Sequence, residues 1–330
     1  MAHSCSVTSR LAAPREAAQP RTVHRWSWSG LLCCVYVLVA PSVACAEVAR
    51  YTASPATFRS IAGQVLKAGA PAEITCTPGD YPMFLRSGAA FVGFKAPVVF
   101  KCHGATFPAS SISEASNLIF DGGTFTGRLI VANFSNVTLR NLDFPQGAGV
   151  MGRKGSNFTV EGLSIDKSGA AIALLDVTNA LVRKNKITDF SGNAGIAAYG
   201  GGDIRIIENI VTGERRVAEG VHPDGIQTAN DQTGTVEISY NTVILPGQGI
   251  FAGGVPDLFI AKGNVVQVDF PNALTWKSRR PAQIGGNTIS KLPSPLSHKP
   301  RMINYGLREG LAATEDLGGN KVSGAKTKLK

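Results

Sequence analysis

Val182-Arg183-Lys184-Asn185-Lys186-Ile187, Ile206-Ile207-Glu208-Asn209-Ile210-Val211 and Ile238-Ser239-Tyr240-Asn241-Thr242-Val243 share one frame. An aliphatic residue is followed by two variable residues, an Asn, one more residue and a second aliphatic. Eight segments fit the apolar spacing of this frame, four of them with Asn in the fourth place, starting at Phe120, Leu139, Val160, Val182, Ile206, Ile238, Ile260 and Ile284. The second apolar residue then falls at Phe125, Phe144, Ile165, Ile187, Val211, Val243, Val265 and Ile289. Successive starts are separated by 19, 21, 22, 24, 32, 22 and 24 residues. A period in this range marks an architecture whose units bury their apolar faces by stacking.

A second column keeps step with the first: Val150, Ile172, Ile196, Ile226, Ile250 and Leu274, each preceded by Gly or Ala. Each coil thus carries two short apolar stretches divided by polar or Gly-rich turns. Stretches of three to six residues are strand-sized. A leucine-rich repeat has a comparable period but a different consensus. The column Asn185, Asn209, Asn241 and Asn287 suits amides that bond along a stack, or turns that Asn tolerates. Both readings are structural. Leu317, Asn320 and Val322 extend the frame toward the C-terminus.

On these columns the chain resembles, over about residues 72 to 325, the right-handed parallel β-helix superfamily of pectate lyases, polygalacturonases and mannuronan epimerases. The resemblance implies an all-β fold, a single-stranded right-handed parallel β-helix. It does not select a reaction, because many chemistries share the scaffold. Ser54-Pro55 followed by Phe58, Ile61, Val65 and Leu66 reads as a short N-terminal capping helix that Gly69 stops. Solenoid ends need such covers. The strand running into Pro78-Gly79-Asp80-Tyr81 is similar to the opening coil of this superfamily.

The domain reading is a signal peptide over 1–46, a segment with the capping helix over 47–71, the β-helix over 72–325 and a disordered tail over 326–330. Arg10, Arg15, Arg21 and Arg25 precede an apolar run from Leu31 to Ala40, and Ala44-Cys45-Ala46 offers a cleavage site. An uncleaved anchor is the alternative, although the run is short for a membrane span. Export predicts a periplasmic or secreted protein with no stable membrane insertion after cleavage. Cys76 and Cys102 then remain, 26 residues or about one coil apart. A disulfide between them and two buried free thiols both fit. The chain has 33 basic and 23 acidic residues. Removing the four Arg and Glu16 of the leader leaves 29 and 22, a net +7. That excess suits an acidic polymer.

Most coils have 22 to 24 residues, but 30 separate Ile196 from Ile226. The extra residues fall near Glu214-Arg215-Arg216-Val217-Ala218-Glu219, beside His222-Pro223-Asp224-Gly225-Ile226-Gln227. The place of Asp224 holds Ala148, Ala170, Ala194, Gln248 and Asn272 in other coils, and that of His222 holds Gln146, Ser168, Gly192, Pro246 and Phe270. The repeat does not need an acid or an imidazole there, so another demand put them there. The segment resembles His-x-Asp-Gly-Ile-Gln stretches of pectate-lyase-like β-helices. It lacks the Asp-Asp and Gly-His-Gly segments of polygalacturonases, and its acid follows rather than precedes the His, unlike the epimerase segment.

Alternation predicts an outward column of Met151, Ala173, Ala197, Gln227, Phe251 and Thr275, and two residues on Arg153, Leu175, Tyr199, Ala229, Gly253 and Lys277. The Gly or Ala column before the aliphatics is read as room for a ligand chain. His222, Asp224 and Tyr199 are the catalytic candidates, with Arg153, Gln227, Phe251 and Lys277 binding substrate. Cations would hold carboxylates and aromatics would stack on sugars. The partner this implies is an acidic polysaccharide, with no nucleic acid, and the protein is expected to be a monomer. No zinc-spaced cluster is present, and Gly200-Gly201-Gly202 is a turn between strands. The expected chemistry is proton abstraction beside a uronate carboxylate, by β-elimination or C5 epimerisation. Asp224 would orient His222 or hold Ca²⁺. An inverting hydrolase pairing Asp224 with Glu219 or Asp231, and a non-catalytic carbohydrate-binding or envelope solenoid, are the alternatives.

Overall fold

Three short strands make up each full coil, and each pairs in parallel with its counterpart one coil on. In one coil these are Thr233–Ser239, Thr242–Leu245 and Gln248–Ala252. The computed structural model describes residues 47–82, 93–190, 192–213, 223–293, 300–304 and 312–323. The predicted leader, the tail from 326, the insertion at 214–219 and His222 lie outside them.

The first ladder runs from Ala49–Ala53 to Thr314–Asp316. The second runs from Gly79–Asp80 to Lys321–Val322 and forms an 11-stranded sheet. The third runs from Ser110–Ser113 to Arg301–Asn304. Val150–Glu161 and Ile172–Arg183 pass unbroken from the third ladder into the first, which joins the two as a 19-stranded sheet. Ladders of this kind form because each strand alternates core and surface residues while its backbone groups bond to the coils on either side.

The predicted columns are the inner walls. Val150, Ile172, Ile196, Ile226, Ile250 and Leu274 pair in that order and are at most 1% exposed. Met302 continues the column. Each buried aliphatic contributes roughly 1.5–3 kcal/mol. The other column, from Phe120 through Leu139, Val160, Val182, Ile206 and Ile238, continues to Ala261 rather than Ile260, and then to Ile284. The frame was therefore one residue early in that coil. Val266, not Val265, is its second core position, and Val265 is 43% exposed.

The corrected frame brings Asn264 into the Asn column. Asn185, Asn209, Asn241, Asn264, Asn287 and Asn320 form a continuous ladder in which each side-chain amide donates to the next Oδ1 at 2.9–3.1 Å. Each Oδ1 from Asn209 onward also accepts the backbone N–H of the preceding Asn at 2.9–3.1 Å. A second, exposed ladder joins Asn117, Asn136, Asn157 and Asn179, all at left-handed φ of 51–55°. Asn adopts this backbone more readily than most residues, so one residue type serves both turns and stacking.

The solenoid's first strand, Ala49–Ala53, precedes the helix rather than following it. The helix spans Phe58–Ala68 and closes on Gly69 at φ 64°. Its start is three residues later than Pro55. Ser54 and Thr57 instead form a reciprocal pair: each side-chain oxygen accepts the other's backbone N–H, at 2.9 and 3.3 Å. Phe58 is fully buried against Tyr81, Phe100 and Phe107, with centroids 5.3–6.3 Å apart. It thereby covers a stack of rings that continues through Phe125 to Phe144. Cys76 and Cys102 are joined in a disulfide, Cα atoms 4.6 Å apart, on successive coils of the first ladder. Among the described residues, no helix is long and apolar enough to cross a membrane.

Candidate active site

The strand Asp224–Ala229 enters the third ladder with two neighbouring residues facing inward. Ile226 is fully buried. A Cβ on Gly225 would lie 2.3 Å from Cγ1 of Val243, a fully buried core residue. Gly195 and Gly249 face Val211 and Val266 in the same way, at 2.5 and 2.4 Å. The Gly or Ala column is therefore small because the core behind it is full. It leaves no space for a ligand, which corrects the reading from sequence. Residues on either side of the inward pair, Asp224 and Gln227, are turned to the outer face.

Tyr199 lies on that face one coil earlier, in register with Ala229. Its hydroxyl donates to Oε1 of Gln227. Partial burial, and after it the charge of Asp224, raise the tyrosine's proton affinity. Asp224 is only 3% exposed, and its Oδ1 has no hydrogen-bond partner among the described residues. Burial pushes its carboxyl from an ordinary 3.8 up to about 7. Asp224, Tyr199 and Gln227 therefore form one cluster. It holds a carboxyl able to take or give a proton near neutrality, within electrostatic reach of a phenol that stays protonated.

The other candidates lie further away along the stack. Phe251 is half-buried and pairs with Gln227 on the next coil. Arg153 is exposed and reaches the register of Tyr199 through Leu175, two coils back, or roughly 10 Å at the usual strand spacing. Lys277 follows the strand Asn272–Trp276 and is half-buried, three coils beyond Tyr199. Neither cation belongs to the Asp224 cluster. His222 lies outside the described residues. No group of three or more His, Cys, Asp or Glu side chains gathers as a metal site among the described residues.

Sequence reasoning missed one polar pair. Gln248 pairs with Asp224 in register, and Asn272, one coil further, donates from Nδ2 to Oε1 of Gln248 at 2.9 Å. Both are half-exposed. The signal was present: from Asp224 onward, a column of alanines becomes three polar residues in a row.

Residues 105–289 match the family described as the right-handed beta helix region. No curated protein matches the chain. Among solved structures, the Streptococcus pneumoniae surface protein and adhesin PfbA is 12% identical at a TM-score of 0.41, over 84% of this chain and 86% of that one. The A-module of Azotobacter vinelandii mannuronan C-5 epimerase AlgE4 is 9% identical at 0.28, over 85% and 100%. Similarity at that level says nothing about chemistry. The family match spans more than half of the 330 residues, and the parallel ladders have the architecture it describes: the chain belongs to the right-handed β-helix family.

Proposed function

We propose that this protein is an exported enzyme that acts on a uronate-containing polysaccharide by abstracting the proton beside the carboxylate, in β-elimination or C5 epimerisation. The observation that carries this reading is the Asp224 carboxyl, buried, pushed up to about 7 and within electrostatic reach of the Tyr199 phenol. Such a carboxylate is a stronger base than an exposed one and is still half ionised at neutral pH. Asp224 takes the C5 proton, and the electron pair left behind is delocalised into the uronate carboxyl. In elimination that pair forms the C4–C5 double bond, and the C4 oxygen leaves with the proton of Tyr199. In epimerisation Tyr199 returns a proton to the opposite face of C5. Gln227 fixes the phenol by accepting its hydrogen. Arg153 and Lys277 are too remote for the reacting carboxylate and instead hold carboxylates of flanking sugars. Phe251 offers a ring face to a sugar.

The test incubates the protein with alginate, polygalacturonate and glycosaminoglycans, with and without Ca²⁺. Ultraviolet absorbance of unsaturated uronate, reducing ends and the proton spectrum are followed together. Absorbance that rises with pH through about 7 and is lost in Asp224→Asn and Tyr199→Phe supports elimination at this site. A changed proton spectrum without absorbance supports epimerisation. New reducing ends without absorbance would replace the reading with hydrolysis. Silence from a folded sample would replace it with a binding or structural solenoid.

A further inference from the structure

The column containing Asp224 divides the outer face of the third ladder into two unlike halves. Before Asp224 it holds Ala148, Ala170 and Ala194, and after it Gln248 and Asn272. Ala148 and Ala194 are 2% and 1% exposed, so the fold is satisfied there by a methyl group. The backbone at this position therefore asks for nothing polar. Two successive coils nevertheless place carboxamides there, half-exposed and bonded to each other.

The bond has a direction. Asn272 Nδ2 donates to Gln248 Oε1, which uses the acceptor of Gln248 and one donor of Asn272. Gln248 is left with its N–H donors and Asn272 with its Oδ1 acceptor, so the pair offers a donor and an acceptor on adjacent coils. Register sets Gln248 directly beside Asp224, about 4.8 Å along the stack. A neutral donor beside a neutral acceptor complements a hydroxyl-bearing sugar better than it complements a carboxylate, which accepts only. A side chain held by a neighbour loses less freedom on binding than a loose one.

We propose that Gln248, held by Asn272, is a specificity-determining rung that hydrogen-bonds the hydroxyl groups of the sugar next to the reacting uronate, on the C-terminal side of Asp224. The alanine half provides no such contact, so substrate recognition is asymmetric about the reacting residue. This inference rests on the acid–base reading of Asp224 and Tyr199, but it concerns binding and can be separated from it.

The experiment measures binding of alginate and polygalacturonate oligosaccharides of defined length by isothermal titration, alongside turnover, for the full chain and for Gln248→Ala, Asn272→Ala and Gln248→Glu. Loss of one well-made hydrogen bond to sugar is expected to weaken binding and raise KM on the order of tenfold in Gln248→Ala. The expected kcat stays within about twofold, because the rung contacts substrate equally before and during reaction. Gln248→Glu should bind worse still, since it sets a second anion beside an anionic polymer. Wild-type turnover with unchanged binding and KM in Gln248→Ala would overturn the rung and leave the catalytic reading standing. Binding that weakens in Gln248→Ala, with no turnover in any form, would sustain the rung and overturn the catalytic reading. No binding by the folded wild-type chain would overturn both. An equal fall in thermal midpoint and affinity in Gln248→Ala and Asn272→Ala would show a merely structural pair.

Discussion

Replacing Asp224 with Asn should make the protein more stable, and increasingly so as the pH rises. In the folded chain the carboxyl holds its proton up to about pH 7, against an ordinary 3.8. Below both values folded and unfolded chains are protonated alike and the site costs nothing. Above both, the folded chain carries a buried charge that the unfolded chain keeps in water, so stability is lost as pH rises through this window. A difference of about 3 units at 1.36 kcal/mol per unit makes the full loss about 4 kcal/mol. Asn has nearly the same shape and does not titrate. The wild type should therefore fall behind Asp224→Asn by most of that amount between pH 4 and pH 8. Urea unfolding of both proteins at several pH values, followed by circular dichroism and fluorescence, measures the gap, and titrating groups not coupled to Asp224 cancel in the difference. A gap that does not change with pH, or that narrows as pH rises, would refute the burial argument and with it the case for Asp224 as a proton-transfer group.

Asn209→Ala removes an Oδ1 that accepts two hydrogen bonds and an amide that donates to Val182 and Asn241. With buried groups left unpaired on both sides, we expect a loss of roughly 3–5 kcal/mol, read as the urea midpoint. Gly225→Ala drives a methyl group into Val243 and should cost about 1–3 kcal/mol, partly recovered in Gly225→Ala with Val243→Ala. Phe58→Ala uncovers the rings of Phe100 and Phe107 and should cost about 3–5 kcal/mol, with light scattering reporting association through the opened end. Reducing the Cys76–Cys102 bridge frees a span of 26 residues and should lower the urea midpoint by the equivalent of about 3 kcal/mol.

The columns were readable from the chain because a stacked core repeats its demands at every coil, and Val150 through Leu274 meet them with bulky aliphatics. The slip at Ile260 shows the limit of that reading. Ile beside Ala looks like the core residue, yet Ala261 is the one fully buried, and the mistake concealed Asn264. Register is a property of neighbouring coils, and no single segment carries it. The strand Ala49–Ala53 was missed for the same reason: only its pairing with Ala72–Cys76 reveals it. In the site, Asp224 stood out because it departs from the repeat, and Tyr199 and Gln227 followed from alternation. The Gly or Ala column was misplaced because alternation fails where two successive residues turn inward. Gln248 and Asn272 show in the sequence only as polar residues in a column of alanines, and the hydrogen bond that joins them has no signature in spacing.

Successive rungs of the buried Asn ladder are 24, 32, 23, 23 and 33 residues apart, yet their amide bonds stay within 2.9–3.1 Å. The inside of the molecule is thus indifferent to how far the chain travels around the outside. Material added at a corner changes the contour without altering the pitch. A foreign loop grafted between Asn287 and Asn320, where the natural path is already the longest, should leave every rung in place. The scaffold can therefore acquire or exchange surface attachments by insertion, while its interior continues to be copied coil by coil.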